Sequence, residues 1–193
     1  MKGYRKNDLM KCEVKKHTTV EDAWDAINST MYSGFHAKAP LKQIYMWMHS
    51  PIRTQIFSIQ LYDIYSFVSV HLSRHVTTVP FVQSKRIDRD GNGTEDRYTL
   101  VNHRILCNAE AIMNMANKRL CYKASPETRD VMIMIKNEIE KIDSDLSYYM
   151  VPQCVYRGGI CPEPRPCGNY KVRRFKGIED ERNMRITLDK SEE

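Results

Sequence analysis

Midway along the chain the hydrophobic period changes. From residue 54 to 61 apolar and polar side chains alternate, with Phe57, Ile59 and Leu61 against Ser58 and Gln60. That pattern predicts a half-buried strand. From Ile64 the spacing becomes i, i+3, i+4 and i+7 through Phe67, Val68 and His71. Those four positions lie on one helical face. A chain that switches period this way mixes strand and helix.

The flanking sequence supplies more helices. Residues 18–29 predict a short one, with Thr18 or Thr19 as cap, Glu21 and Asp22 in its first turn, and Val20, Ala23, Trp24 and Ile27 as its apolar face. Residues 40–48 predict another, opened by Pro40 and stopped before Pro51. Residues 105–121 carry helical spacing. Residues 126–149 predict the longest helix, with Ser125 as cap, Pro126 at its first position and Glu127 near its positive end. Pro80 argues for a loop over 74–86. Asp88, Asp90, Asn92 and Gly93 resemble part of a calcium loop, but its twelfth position is Thr99 rather than Glu. A solvated loop is expected there.

No repeat, low-complexity tract or linker divides the 193 residues, so one domain over 1–170 is expected, followed by a charged tail over 171–193. No apolar run is long enough for a membrane helix. The polar start Met1-Lys-Gly-Tyr-Arg-Lys-Asn-Asp8 leads us to expect a cytoplasmic protein with reduced cysteines. The net charge of +6 suits a phosphorylated partner without specifying which. No basic stripe or known motif points to specific nucleic-acid binding.

Four constellations bear chemistry. Arg74 and His75 extend from the end of the 64–71 helix. Ser84 and Arg86, two apart, would point the same way in an extended segment and could clamp a phosphate with one hydroxyl and one guanidinium fork. The alternative is a basic surface loop. On a helix, Asn108 and Arg119 fall within about 20° of each other and about 16 Å apart, with Ala111 and Met115 between them. A flat heterocycle could lie on that stripe, with Asn114 on another side, or the stripe could be core. His49, Ser50 and Arg53 cluster at a helix–strand junction, where capping is the alternative to ligand binding. Finally, Cys154, Cys161 and Cys167 lie close in sequence and Cys121 is free to join them. The paired C-x2-C spacing of a zinc knuckle is absent, so we expect structural thiols and no metal, with a four-thiolate metal site or a disulfide as alternatives.

Taken in order, these segments resemble the flavin-dependent thymidylate synthases (ThyX), especially their divergent phage-type branch. Arg74, His75, Ser84 and Arg86 match the signature R-H-R-x-x-S-x-N-E-x-S-x-R in register, while Val76, Val79, Phe81 and Val82 replace its second Arg, first Ser, Asn and Glu. Asn108 to Arg119 and Ala124-Ser-Pro-Glu-Thr-Arg129 resemble the family's following helix pair. His49-Ser-Pro-Ile-Arg53 resembles an upstream H-x-S-P segment, and residues 152–168 the cysteine-bearing C-terminal segment of that branch. The resemblance implies an α/β (α+β) fold, a twisted, mostly antiparallel sheet flanked by helices, built into a homotetramer with active sites between subunits. It implies FAD, dUMP as substrate, methylenetetrahydrofolate as carbon donor and NADPH as reductant. Ser84 and Arg86 would then hold the nucleotide phosphate, and Arg119 would bind the pyrimidine and act in catalysis. Arg74, His75, Asn108, Asn114, His49 and Ser50 would contact the flavin.

Two functions follow. One is an enzyme methylating C5 of dUMP, or a hydroxymethylating or altered-substrate variant of it. The other is a non-catalytic relative that binds or sequesters a nucleotide.

Overall fold

Strand β2 (Ile56–Tyr65) is the spine of the molecule. In the computed structural model, which describes residues 7–32, 36, 38–89, 96–169 and 173–174, it pairs antiparallel on both sides. On one side lies β1 (Lys11–Lys16), on the other β4 (Leu100–Asn108), which pairs in turn with β3 (Thr78–Val82). The order β1-β2-β4-β3 makes a four-stranded, wholly antiparallel sheet.

β2 runs through Tyr65, further than the alternation predicts. The cause is a bulge between Leu61 and Ile64, where Asp63 takes a left-handed conformation at φ 55°. Asn7 Nδ2 donates to the Asp63 carbonyl, and the Asp63 N–H donates to Asn102 Oδ1. The bulge adds a residue and so resets the alternation. Helix α3 therefore starts at Ser66 and runs to Ser73.

Two further expectations give way. The proline-containing segment after α3 is not all loop, because Pro80 sits in β3, an edge strand whose outer side needs no amide donor. Residues 105–108 are strand, not helix: Val101, His103, Ile105 and Cys107 face inward by strand alternation. Helix α4 (Ala109–Arg119) begins only after them.

Helix α1 (Val20–Asn28) and α2 (Leu41–Trp47) lie where the sequence predicts them. The Thr19 N–H donates to the Asp22 carboxylate at 2.7 Å, holding the start of α1. The expected long helix breaks in two, α5 (Pro126–Ile142) and α6 (Ser144–Tyr149). Asp143 ends one and caps the other: its Oδ1 accepts the Leu146 N–H, while Oδ2 takes the Tyr45 hydroxyl at 2.7 Å and Lys16 Nζ at 2.6 Å. One buried carboxylate thus ties β1, α2 and α6 together. The core lies between the sheet and the helices, centred on Phe57, Ile59, Leu61, Ile112, Met115 and Ile135, none more than 1% exposed.

A short helix α7 (Gln153–Tyr156) and strand β5 (Ile160–Cys161) follow; β5 pairs in parallel with β6 (Arg173–Arg174). Residues 90–95 of the calcium-like loop and most of the 171–193 tail lie outside the described residues. Among the described residues no helix is long and apolar enough to cross a membrane.

Candidate functional site

The last turns of α3 and α4 meet. Arg119, the final residue of α4, donates from Nη2 to the His71 carbonyl at 2.6 Å and from Nε to His75 Nε2 at 3.1 Å. The carbonyls at a helix C-terminus lack intrahelical partners and form its negative pole, so a guanidinium is well placed there. A ring nitrogen that accepts from arginine carries no proton. His75 is therefore neutral, with its proton on Nδ1. Burial, and then the positive charges of Arg119 and Lys118, push its pKa down to about 4. Burial and Arg74 also lower the pKa of Arg119 itself.

A second layer braces the pair. His71 Nδ1 meets the Thr128 hydroxyl at 2.8 Å, and Thr128 meets the Ser125 hydroxyl at 2.8 Å. The expected cap residue Ser125 thus turns its hydroxyl to Thr128, and the start of α5 is tied to the end of α3. Burial, then Arg119, Arg74 and Arg97, lower the His71 pKa. Arg74 is exposed beside this corner. Only two of the five N–H groups of Arg119 are used in these bonds. Such a corner can bind an anion or donate to a carbonyl oxygen on which negative charge develops.

Ser84 and Arg86 follow β3 but do not form an open clamp. Ser84 Oγ accepts the backbone N–H of Arg86 at 3.2 Å. The Arg86 guanidinium forks onto Asp88, at 2.8 and 2.5 Å. That pair is exposed, so a phosphate could displace it at little cost.

Of the remaining expected residues, Asn114 lies midway along α4 and the others lie at its opposite end. Asn108 closes β4 and caps α4, its Oδ1 accepting the Ala111 N–H at 2.9 Å. Ala111 and Met115 are wholly buried, so the stripe between Asn108 and Arg119 is core and no heterocycle lies on it. Asn114 is exposed. His49 and Ser50 line a cavity of about 390 Å3 with Ile27, Met31, Trp47 and Pro51. Its aromatic wall is Trp47 stacked on His49, with ring centroids 6.2 Å apart. Arg53 pairs with Glu110 beside it, joining this corner to the first turn of α4. The helix separates the two groups by about 16 Å. Within one chain, Arg119, His75 and Arg74 come together; His49, Ser50 and Asn108 stand apart from them.

The sequence reading placed His71 on a helix face, Ser125 at a cap and Thr128 in the 124–129 segment, without marking any of the three as a site residue. Helical spacing does not show this corner, because His75 lies beyond the end of α3, and it is Arg119 that joins His71 to His75.

The four C-terminal cysteines also converge. Cys121, Cys154, Cys161 and Cys167 all line one cavity of about 190 Å3 that reaches Arg119.

The antiparallel sheet, its helices and the α3–α4 corner can be set against solved structures. ThyX from Helicobacter pylori, crystallised with FAD and dUMP, superposes with a TM-score of 0.57 at 12% identity, over 74% of this chain and 97% of that one. This chain has the ThyX fold. A UMP/dUMP methylase, PolB from Streptomyces cacaoi, bound with 5-Br dUMP, gives 0.57 at 11% identity over 72% and 94% of the two chains. A second Helicobacter pylori ThyX complex with FAD and dUMP gives 0.54 at 12% identity over 72% and 99%. No protein-family model and no curated protein matches the sequence.

Proposed function

We propose that this chain is a ThyX-like enzyme that transfers a one-carbon unit to C5 of dUMP. The observation that carries the proposal is the corner where Arg119 is held between His71 and His75 with Arg74 beside it, on a fold shared with dUMP-binding proteins. In this reading Arg119 donates to a pyrimidine carbonyl and offsets the charge that builds as C5 becomes nucleophilic. His75 keeps the guanidinium aimed and, being neutral, adds no competing charge. Ser84 and Arg86 take the phosphate after Asp88 is displaced.

Of the residues assigned to FAD, His75 is engaged by Arg119, and the others fit such a group chemically. The Trp47–His49 wall and apolar lining suit a flat ring, Ser50 offers a hydroxyl, and Arg74 offers an exposed guanidinium to a diphosphate. Asn108 retains its NH2 and Asn114 is open to solvent. Bound flavin would supply the hydride, with methylenetetrahydrofolate as carbon donor and NADPH as reductant, as the family resemblance implies. The separation of the two groups along α4 supports a site shared between copies of the chain, in a homotetramer.

One observation favours the non-catalytic reading. Phe81 and Val82, which replace the Asn-Glu pair of the signature, are exposed on edge strand β3. A nucleotide-binding protein without turnover would tolerate that loss. Absorbance of the purified protein separates the two. The enzyme reading expects a yellow protein, or one that becomes yellow on adding FAD. A protein that stays colourless and binds dUMP only supports sequestration.

A further inference from the structure

Four of the six cysteines come from three separate stretches: the residue two past α4, the middle of α7, and β5 with the loop that follows it. They nevertheless line one small cavity. Cys154 and Cys161 are 6% and 5% exposed, and Cys121 and Cys167 are half-buried. The fold takes trouble to return the chain here. After α7 the Gly159 N–H donates to the Cys154 carbonyl and the Gly158 N–H to that of Val155, a Schellman turn with Gly158 at φ 61°. That turn sends β5 back toward α7. Apart from the cysteines, the described residues of 151–169 bury only Pro152 and Ile160, so apolar packing does little to order this stretch.

We propose that Cys121, Cys154, Cys161 and Cys167 form a closed four-thiolate site for one Zn2+ ion, which staples the C-terminal segment to the end of α4. Zinc favours four sulfurs in a tetrahedron at about 2.3 Å. Among the described residues no three His, Cys, Asp or Glu side chains already stand in a metal-holding arrangement. The ion would therefore have to draw the four thiols together across the cavity that they line. Binding would release the thiol protons to solvent and leave a net charge of −2 on the ion and its ligands. Lys118, Arg119 and Lys123 line the same cavity and offset that charge.

The test uses the full chain purified without chelator. We expect about one zinc per chain by elemental analysis, in line with binding free energies typical of structural zinc sites. Cobalt added to the stripped protein should give the intense visible bands of a tetrahedral thiolate complex. Cys12 lies in β1, away from the cavity, so Cys12→Ser should behave as wild type. Cys167→Ser and Cys121→Ser, at the half-buried positions, should each lower cobalt affinity at least about tenfold while the far-ultraviolet circular dichroism stays native. A folded wild-type protein that binds neither zinc nor cobalt would overturn the proposal. So would a disulfide among the four, or unchanged cobalt binding in both variants. Absence of flavin would bear only on the proposed function, because the zinc readout does not depend on it.

Discussion

Replacing His75 by alanine removes one of the two acceptors that aim Arg119. The loss can be sized from the bond. A hydrogen bond involving a charged group contributes about 1.5–3 kcal/mol, and the low end applies because Arg119 is only half-buried. About 1.5 kcal/mol corresponds to roughly tenfold weaker binding of dUMP at neutral pH. Glutamine at this position keeps an acceptor that does not titrate, so His75→Gln should recover most of the affinity. The pH dependence separates them further. The His75 pKa is depressed to about 4, so the neutral acceptor persists well below the usual histidine range and is lost only as pH falls through 4. Below that, a second cation would face Arg119. Calorimetric titration with dUMP should show wild type weakening relative to His75→Gln between roughly pH 5 and 4, with circular dichroism confirming the fold at each pH. If His75→Ala binds dUMP like wild type, or His75→Gln binds no better than His75→Ala, the positioning role is wrong.

Asp143→Ala should cost about 3 kcal/mol in urea unfolding, because it strands Lys16 and the Tyr45 hydroxyl and uncaps α6; a change below about 1 kcal/mol would contradict that role. His103 is wholly buried, neither ring nitrogen has a partner among the described residues, and burial pushes its pKa down to about 4. The unfolded chain then binds the extra proton between about pH 6.5 and 4, so stability falls as pH drops through that window, by about 3 kcal/mol in full. His103→Leu should flatten this part of the stability profile, measured by urea midpoints across pH. Asp88→Asn releases Arg86 from an exposed pair and should tighten dUMP binding by about two- to fivefold; unchanged binding would remove Arg86 from the phosphate site.

The local periods of the chain made the helices and β2 legible, and the motif order made the fold legible. What escaped was tertiary in origin. β1 has alternate half-burial and so little apolar signal. β3 contains a proline that an edge position tolerates. The break at Asp143 follows from two distant partners, Lys16 and Tyr45, that no local window shows. In the site, Arg119 and His75 were both marked, but from separate motifs; that they bond to each other became visible only in the fold. Asn108 was marked for a ligand, yet its position at a strand–helix junction explains it first as a cap.

The most direct test of the proposed function is the mass of the pyrimidine product. Purified protein would be incubated with dUMP, FAD, NADPH and methylenetetrahydrofolate, beside Arg119→Ala. The account predicts dUMP converted to a nucleotide carrying one additional carbon, with turnover lost in Arg119→Ala. Unaltered dUMP from a folded wild-type protein that binds both FAD and dUMP would contradict it.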